Sequence, residues 1–294
     1  MSVVRKLFKA GQFTPPKDKE FFVPETSYEV IMGSMAYGVS NDMSDMDVYA
    51  MVVPPKSWVF PHLDGHVPGF GPPPKTFDTY QKHHMVMDER NYDVQVYSIV
   101  KYFQLCAENN PNMVDSLFVP DRCVLYADDV GKHMRANRKL FLSKLVYQKF
   151  KGYAYSEMKK LRNKAPVGER AKMVEKYGMD VKHAYHIVRL ACEAEQILQH
   201  GDLDLEANRE QLKSIRRGEW TIEQLEEWFQ RKEGHLEELN VQSSLPPMPD
   251  MESLKKVLRE CLEVHYGSLS DALGDSDMQS VVEKYRAIER IVRD

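Results

Sequence analysis

Apolar residues in the first part of the chain occur in short runs between turn residues, which predicts strands linked by loops. One run ends at Gly33-Ser34 and another follows about ten residues later, so residues 28–53 are predicted to form a strand, a short helix, a loop and a second strand. Prolines and glycines crowd residues 54–76, which predicts a long surface loop. Residues 77–98 are predicted to add one or two strands, and a helix is expected from about Val96.

From Asp128 onward the apolar positions recur at helical spacing. The predicted helical segments are residues 128–163, residues 180–200 with Gly201 as a stop, the segment opened by the capping-box pair Thr221 and Gln224, and a last pair at 251–265 and 277–293. We therefore predict an α+β fold. A mixed α/β domain is expected over residues 1–125 and an α-helical domain over residues 126–294.

Composition favours a globular protein of the cytoplasm. The chain has 294 residues, of which 43% are hydrophobic and 29% charged. No apolar run approaches the ~20 residues that span a bilayer, so no membrane contact is expected, and the basic N-terminus lacks the apolar core of a secretory signal. The four cysteines are far apart and are expected to be reduced and buried; they are Cys106, Cys123, Cys192 and Cys261.

Charge is distributed unevenly along the chain. Residues 132–182 contain 15 Lys and Arg against 4 Asp and Glu, a net charge of +11. Since the whole chain carries −4, the remaining residues carry −15. A basic segment of this strength favours an anionic partner such as a nucleotide or RNA, although a solvated helix face rich in lysine is the alternative.

The most informative stretch lies between the first two predicted strands. Asp45 and Asp47 are two residues apart at the start of a strand, so their side chains project to one side while Met46 and Val48 face the core. Two adjacent carboxylates repel each other, and a divalent metal such as Mg²⁺ relieves that repulsion. The backbone N–H groups at Gly33-Ser34 would lie beside a phosphate. The pattern indicates metal-dependent phosphoryl or nucleotidyl transfer, although a turn that caps the strand is compatible with it.

These residues also resemble a known signature. Gly33-Ser34, Ala36-Tyr37-Gly38 and Ser44-Asp45-Met46-Asp47 are similar to the signature of the DNA polymerase β-type nucleotidyltransferases, and most similar to the RlaP-like family associated with RNA repair. Further similar segments follow in the same order: Asp93–Ser98, Lys101–Phe103, Asn110–Asn112, Lys182–Leu190 and Ile215–Trp220. The resemblance covers roughly residues 28 to 230. It departs at Met35 and Tyr49, where basic residues are often found.

The resemblance implies a polymerase-β-like nucleotidyltransferase sheet followed by a helical domain that completes the nucleotide and acceptor cleft. It implies two Mg²⁺ or Mn²⁺ ions on Asp45, Asp47 and a third carboxylate, for which Asp93 is favoured over Asp88. The expected nucleotide contacts are Gly33, Ser34, Tyr37, Lys182, His186 and Arg189. Lys182, His186 and Arg189 recur at i, i+4 and i+7 and so share one helix face. The alternative is that this face is an exposed polar stripe without a ligand. The expected acceptor or RNA contacts are Tyr153, Lys159, Lys160 and Arg162, although a core tyrosine beside surface lysines is the alternative.

The predicted reaction moves a nucleoside monophosphate from an NTP, by default ATP, to an acceptor hydroxyl, with release of pyrophosphate. The resemblance implies an RNA 3′ end as acceptor. A protein side chain (AMPylation), a small-molecule acceptor or an inactive nucleotide-binding or RNA-binding module are the alternatives. A zinc site at His62, His66, His83 and His84 is disfavoured because no cysteine lies near them, and no P-loop motif is present.

Overall fold

A five-stranded mixed sheet forms the first part of the computed structural model, which describes residues 2–40, 45–163 and 167–269. The strands are β1 (Thr26–Ile31), β2 (Met46–Val52), β3 (Thr79–Met87), β4 (Arg90–Ser98) and β5 (Val124–Ala127). Their order across the sheet is β3-β4-β2-β1-β5. β2 and β4 are parallel, and the other neighbouring pairs are antiparallel.

Helices dominate the rest of the described chain, which confirms the predicted α+β fold class. The α-helices are α1 (Val3–Lys9), α2 (Gly33–Ala36), α3 (Lys56–Val59), α4 (Ile99–Ala107), α5 (Pro111–Phe118), α6 (Asp129–Ala136), α7 (Leu145–Asn163), α8 (Glu169–Tyr177), α9 (Val181–His200), α10 (Arg209–Arg216), α11 (Ile222–Gln242) and α12 (Met251–Tyr266). α9 is central, because α7, α8, α10 and α11 all pack against it.

The ends of α9 and α11 follow directly from their sequences. The Asp180 side chain accepts hydrogen bonds from the first backbone N–H groups of α9, and Gly201 adopts the left-handed conformation that ends the helix. Thr221 and Gln224 form the expected capping box at the start of α11. The predicted stop at Gly201 and the predicted capping box are confirmed, because each depends on hydrogen bonds within a single turn. The cap by Asp180 is a further finding, since the sequence pattern places that residue inside the helix.

Other boundaries differ from expectation. α4 begins at Ile99 rather than near Val96, because β4 continues to Ser98, whose hydroxyl then caps the helix. The proline-rich loop contains α3 and a short 3₁₀ helix at 61–64. The proposed boundary after residue 125 falls inside β5, and the two-domain division stays a prediction.

Some of the predicted features lie outside the described residues, and others are confirmed. The predicted helix at 277–293 and Ser44 of the signature lie outside the described residues. All four cysteines are buried and free, as expected for reduced thiols. Across the described ranges, none of the helices combines the length and apolar content needed to cross a bilayer.

A buried charge cluster joins the sheet region to α9. Arg189 of α9 is only 2% exposed, and its Nη1 donates to the Tyr37 hydroxyl (2.6 Å), to the Asp115 carboxylate of α5 and to Glu193 (3.2 Å). The Tyr37 hydroxyl in turn donates to Asp115 (2.7 Å). Because Tyr37 immediately follows α2, the cluster fixes the α2 turn against α5 and α9.

The cluster contains two carboxyl groups and one guanidinium. Burial raises the pKa of Glu193 well above its usual range, and Asp115 adds to that shift while Arg189 opposes it. Burial also raises the pKa of Asp115, while Arg189 and the Tyr37 hydroxyl lower it. The guanidinium of Arg189 therefore opposes the effect of desolvation on both carboxyl groups.

Replacing Arg189 by alanine is expected to lower the free energy of unfolding by about 3–5 kcal/mol, because it leaves buried carboxyl groups without their cation. Equilibrium urea unfolding followed by circular dichroism measures the change. Arg259→Ala, at an exposed position on α12, is the matched control and is expected to leave the midpoint nearly unchanged. A small loss, equal to that of the control, would contradict the structural role of Arg189.

Candidate active site

The carboxylates predicted from the sequence lie together at the inner strands β2 and β4, toward the end of the sheet where β2 begins. Asp47 of β2 is directly opposite Asp93 of β4 in the parallel register, so the two side chains share a face of the sheet. Asp45 directly precedes β2 and is exposed, and its Oδ1 accepts a hydrogen bond from Asn91 Nδ2 (3.3 Å). Asp88 lies instead in the tight turn between β3 and β4, with φ of +51°. The placement therefore favours Asp93 over Asp88 as the third carboxylate.

Gly33 lies in close contact with Asp47. The backbone N–H of Met32 donates to the Asp47 carbonyl (2.7 Å), which brings the end of β1 beside the start of β2. A Cβ added to Gly33 would overlap Asp47 Oδ2 and lie 3.3 Å from Cγ, and Gly33 has a left-handed φ of +64°. Both its conformation and the space around it therefore require glycine. The contact places the first turn of α2 directly beside a predicted metal ligand.

The electrostatics of Asp47 suit a cation. Burial raises its pKa, and the nearby Asp93 and Asp45 carboxylates raise it further, while Lys182 and His83 oppose the shift. A partly buried carboxylate with two like charges beside it is stabilised by a divalent ion bound among them.

Asp93 has partners that the sequence did not indicate. Its Oδ2 lies 3.0 Å from His83 Nδ1, and its Oδ1 accepts the His84 backbone N–H at 2.8 Å. Burial raises the pKa of Asp93, but the contacts with His84 and His83 outweigh that effect and lower it. The register shift between Lys82 and Met85, where His84 has φ of +57°, turns these histidines toward Asp93. The sequence carries no signal for this bulge, and its pattern indicates His83 only as a member of the disfavoured zinc set.

The three carboxylates are neighbours but do not converge fully. Within the three described stretches, no three His, Cys, Asp or Glu side chains are close enough together to hold a metal ion as they stand. The donor set still fits a hard cation, since carboxylate oxygens are its preferred ligands and the Asp93 and Asp45 carboxylates both raise the pKa of Asp47. Each Asp93 oxygen has one histidine contact, and its second lone pair could still bind a metal ion.

The predicted phosphate-binding face of α9 is mostly covered. Lys182 is exposed, and it is close enough to Asp47 to lower the pKa of that carboxyl. His186 Nδ1 is buried without a hydrogen-bond partner in the described structure, and burial, with the charges of Arg189 and His183, lowers the pKa of His186 well below its usual range. His186 is therefore neutral near pH 7.

Arg189 and Tyr37 do not face the candidate site. Both are buried, and Nη1 of Arg189 donates to Asp115, Glu193 and the Tyr37 hydroxyl. The expectation that they contact the nucleotide does not fit this placement. Helical spacing puts Lys182 and Arg189 on one face, but α5 and the α2 turn cover the part of that face that carries Arg189.

The predicted acceptor residues lie along α7. Tyr153 is partly buried and packs against the hydrophobic core. Burial raises the pKa of Tyr49 on β2, and Tyr97, Asp47 and Tyr153 raise it further. Lys159 is exposed. Lys160 and Arg162 line a cavity of about 780 Å³ that Lys182 also lines. In the structure, Lys160 pairs with Glu157 (2.6 Å) and Arg162 with Glu226 (2.7 Å).

The paired aspartates beside a Gly-Ser turn on a mixed sheet define a site similar to that of the DNA polymerase β-type nucleotidyltransferases. The family model RlaP, described as the RNA repair pathway DNA polymerase beta family, matches residues 16–260. The protein belongs to this family, which confirms the resemblance noted in its sequence.

Other comparisons add little. A nucleotidyltransferase-like protein from Exiguobacterium sibiricum 255-15 has a structure that aligns over 99% of this chain and 90% of its own, with 11% sequence identity and a TM-score of 0.30. A similarity this weak carries no argument about the site. No functionally curated protein matches the sequence.

Replacing Gly33 by alanine is expected to destabilise the protein by about 2–3 kcal/mol, because the new methyl group overlaps Asp47 in addition to straining the backbone. Gly65→Ala is the matched control: Gly65 has φ of +75° with nothing within 4 Å of its Cβ position, so about 1 kcal/mol of strain alone is expected. Urea unfolding measures both losses.

The same experiment in an Asp47→Ala background tests the cause. Removing the carboxylate makes room for the methyl group, so the cost of Gly33→Ala is expected to fall toward that of Gly65→Ala. An unchanged cost in the double variant would show that the close approach to Asp47 is not responsible.

Proposed function

We propose that the protein transfers a nucleoside monophosphate from an NTP to an acceptor hydroxyl and releases pyrophosphate. The observation that carries this proposal is the register of β2 and β4, which sets Asp47 opposite Asp93 beside Gly33. Membership of a polymerase β-type family supports the reaction class.

Asp45, Asp47 and Asp93 would hold the metal, Mg²⁺ or Mn²⁺, with two ions expected. When bound, the metal supplies charge neutralisation at the phosphates and activates the attacking hydroxyl. The carboxylates contribute the negative field that binds the ions and fixes them relative to the sheet.

The triphosphate would contact the backbone N–H groups of Gly33 and Ser34, with Lys182 adding an exposed positive charge near Asp47. Arg189 and Tyr37 act at a distance, because they hold the α2 turn in place from the core. His186 is neutral and is not part of the proposed charge array.

The proposed acceptor is an RNA 3′ hydroxyl, and ATP is the proposed donor. The RNA repair description of the family and the net charge of +11 over residues 132–182 support a polyanionic acceptor. We also propose a reducing, cytoplasmic location, which the four buried free thiols support.

Label transfer tests the proposal. The protein is incubated with each α-labelled NTP, Mg²⁺ or Mn²⁺ and total RNA, and label is expected to appear in RNA. Asp47→Asn is expected to lower the rate by at least about a hundredfold, since it removes a metal ligand beside the reacting phosphate. Asp88→Asn, in the β3–β4 turn, is the matched control and is expected to stay within about twofold of the unmodified protein.

Other distributions of label would overturn parts of the proposal. Label in protein rather than RNA would assign AMPylation, with the same carboxylates but a different acceptor. Bound NTP without any transfer would identify a nucleotide-binding module. Equal losses in Asp47→Asn and Asp88→Asn would remove the carboxylate pair from the mechanism.

A further inference from the structure

A strongly basic cavity of about 500 Å³ lies beside the α2 turn. Residues from α8, α9 and α10 line it, together with Val39 and Ser40, which follow α2. No acidic residue lines the cavity in the part of the chain that the structure describes. Its six basic lining residues are Lys172, Lys176, Lys182, Lys213, Arg216 and Arg217.

Backbone contacts connect this cavity to the candidate active site. The Val39 N–H donates to the Ser34 carbonyl (2.9 Å), and Arg216 Nη1 donates to the Val39 carbonyl (2.6 Å). Arg216 therefore holds the chain that leaves the Gly33-Ser34 turn. Lys182 lines both this cavity and the larger cavity beside α7. The two cavities are therefore neighbours that share one exposed lysine.

Three of the six cations of the smaller cavity have no carboxylate partner among the described residues. Lys176, Lys182 and Arg216 have no carboxylate partner within the described ranges; the Lys176 ammonium lies over the Tyr177 ring at 4.8 Å. Lys213 pairs with Glu210 (3.1 Å) and Arg217 pairs with Glu219 (2.5 Å). Both pairs are exposed and contribute little.

The larger cavity differs in this respect. Its lining includes Asp180, which pairs with Arg170 at 3.0 Å. Lys160 and Arg162, as described above, also pair with glutamates. Both cavities contain lysines and arginines that pair with glutamates, but among the described residues a carboxylate lines only the larger one, so the smaller cavity is the stronger attractor of anions.

We infer that the smaller cavity binds backbone phosphates of a single-stranded RNA acceptor. Its cations are spread over three helices, which suits successive phosphodiesters along a strand and requires no base recognition. The triphosphate of the donor already has the metal ions, the Gly33-Ser34 amides and Lys182. The lysines of α8 and α10 are therefore not required to bind the triphosphate. This inference rests on the proposed function, since it takes RNA as the acceptor.

The test measures RNA binding without NTP or divalent metal. Fluorescence anisotropy with a labelled single-stranded RNA of about 20 nucleotides is recorded over a range of salt concentrations. The double variant Lys176→Glu and Lys213→Glu is expected to bind at least about tenfold more weakly. The slope of log K against log salt is expected to decrease by about 1.4, which corresponds to two lost phosphate contacts.

The matched control is the double variant Lys255→Glu and Lys256→Glu on α12. Lys255, like Lys213, is a helical surface lysine paired with a glutamate three residues earlier. The control is expected to stay within about twofold of the unmodified protein. The neutral pair Lys176→Gln and Lys213→Gln is expected to show a smaller loss in the same direction, and circular dichroism checks that each variant is folded.

Three results would overturn the inference. They are equal losses in the cavity variant and the control, absence of RNA binding by the unmodified protein, and a loss of Mg-ATP binding with RNA binding unchanged. The last result, measured by calorimetry, would assign the cavity to the triphosphate. Because RNA binding is measured without NTP or metal, cavity-dependent binding together with failed label transfer would remove the proposed reaction alone.

Discussion

The buried guanidinium of Arg189 is the interaction on which the arrangement of the candidate site depends. It bonds to the residue after α2, to α5 and to its own helix, so three separate segments meet at one planar group. Such a cluster carries a large desolvation cost, and Arg189 Nε and Asp115 Oδ1 remain without hydrogen-bond partners in the described structure. This desolvation cost is offset by the fixed positions that the cluster gives to the α2 turn and to α9. The turn beside Asp47 and the helix that carries Lys182 are held in one geometry by the same group.

The second constraint is the single parallel pair within an otherwise antiparallel sheet. Parallel strands begin at the same edge, so acidic residues near the start of β2 and β4 become neighbours even though 46 positions separate Asp47 from Asp93. The chain reaches this arrangement by passing through the edge strand β3 before β4 returns beside β2. The sheet topology therefore brings the two carboxylates together, and the local sequence around each residue does not predict their proximity.

Much of the fold is predictable because its signals are local. The strands around Gly33-Ser34, the caps of α9 and the capping box of α11 each depend on a few adjacent residues. The burial of Arg189 is not predictable from the sequence. Helical spacing shows which residues share a face of α9, but it does not show which other elements cover that face. The contact of His83 with Asp93 depends on a bulge. The smaller basic cavity combines residues from 172 to 217 with the turn at Val39 and Ser40, so no single window of sequence shows it.

The location of β3 has a consequence for how the site opens. β3 is an edge strand that pairs with β4 alone in the described sheet, and most of its residues are at least partly exposed. Edge segments with few buried contacts detach at lower free energy than central strands, without unfolding of the whole protein. His83 and His84 would leave Asp93 with such a segment, whereas Asp47 would stay in the core of the sheet. The histidine contacts lower the pKa of Asp93, so the electrostatics of the candidate site are coupled to the local opening of this one edge strand.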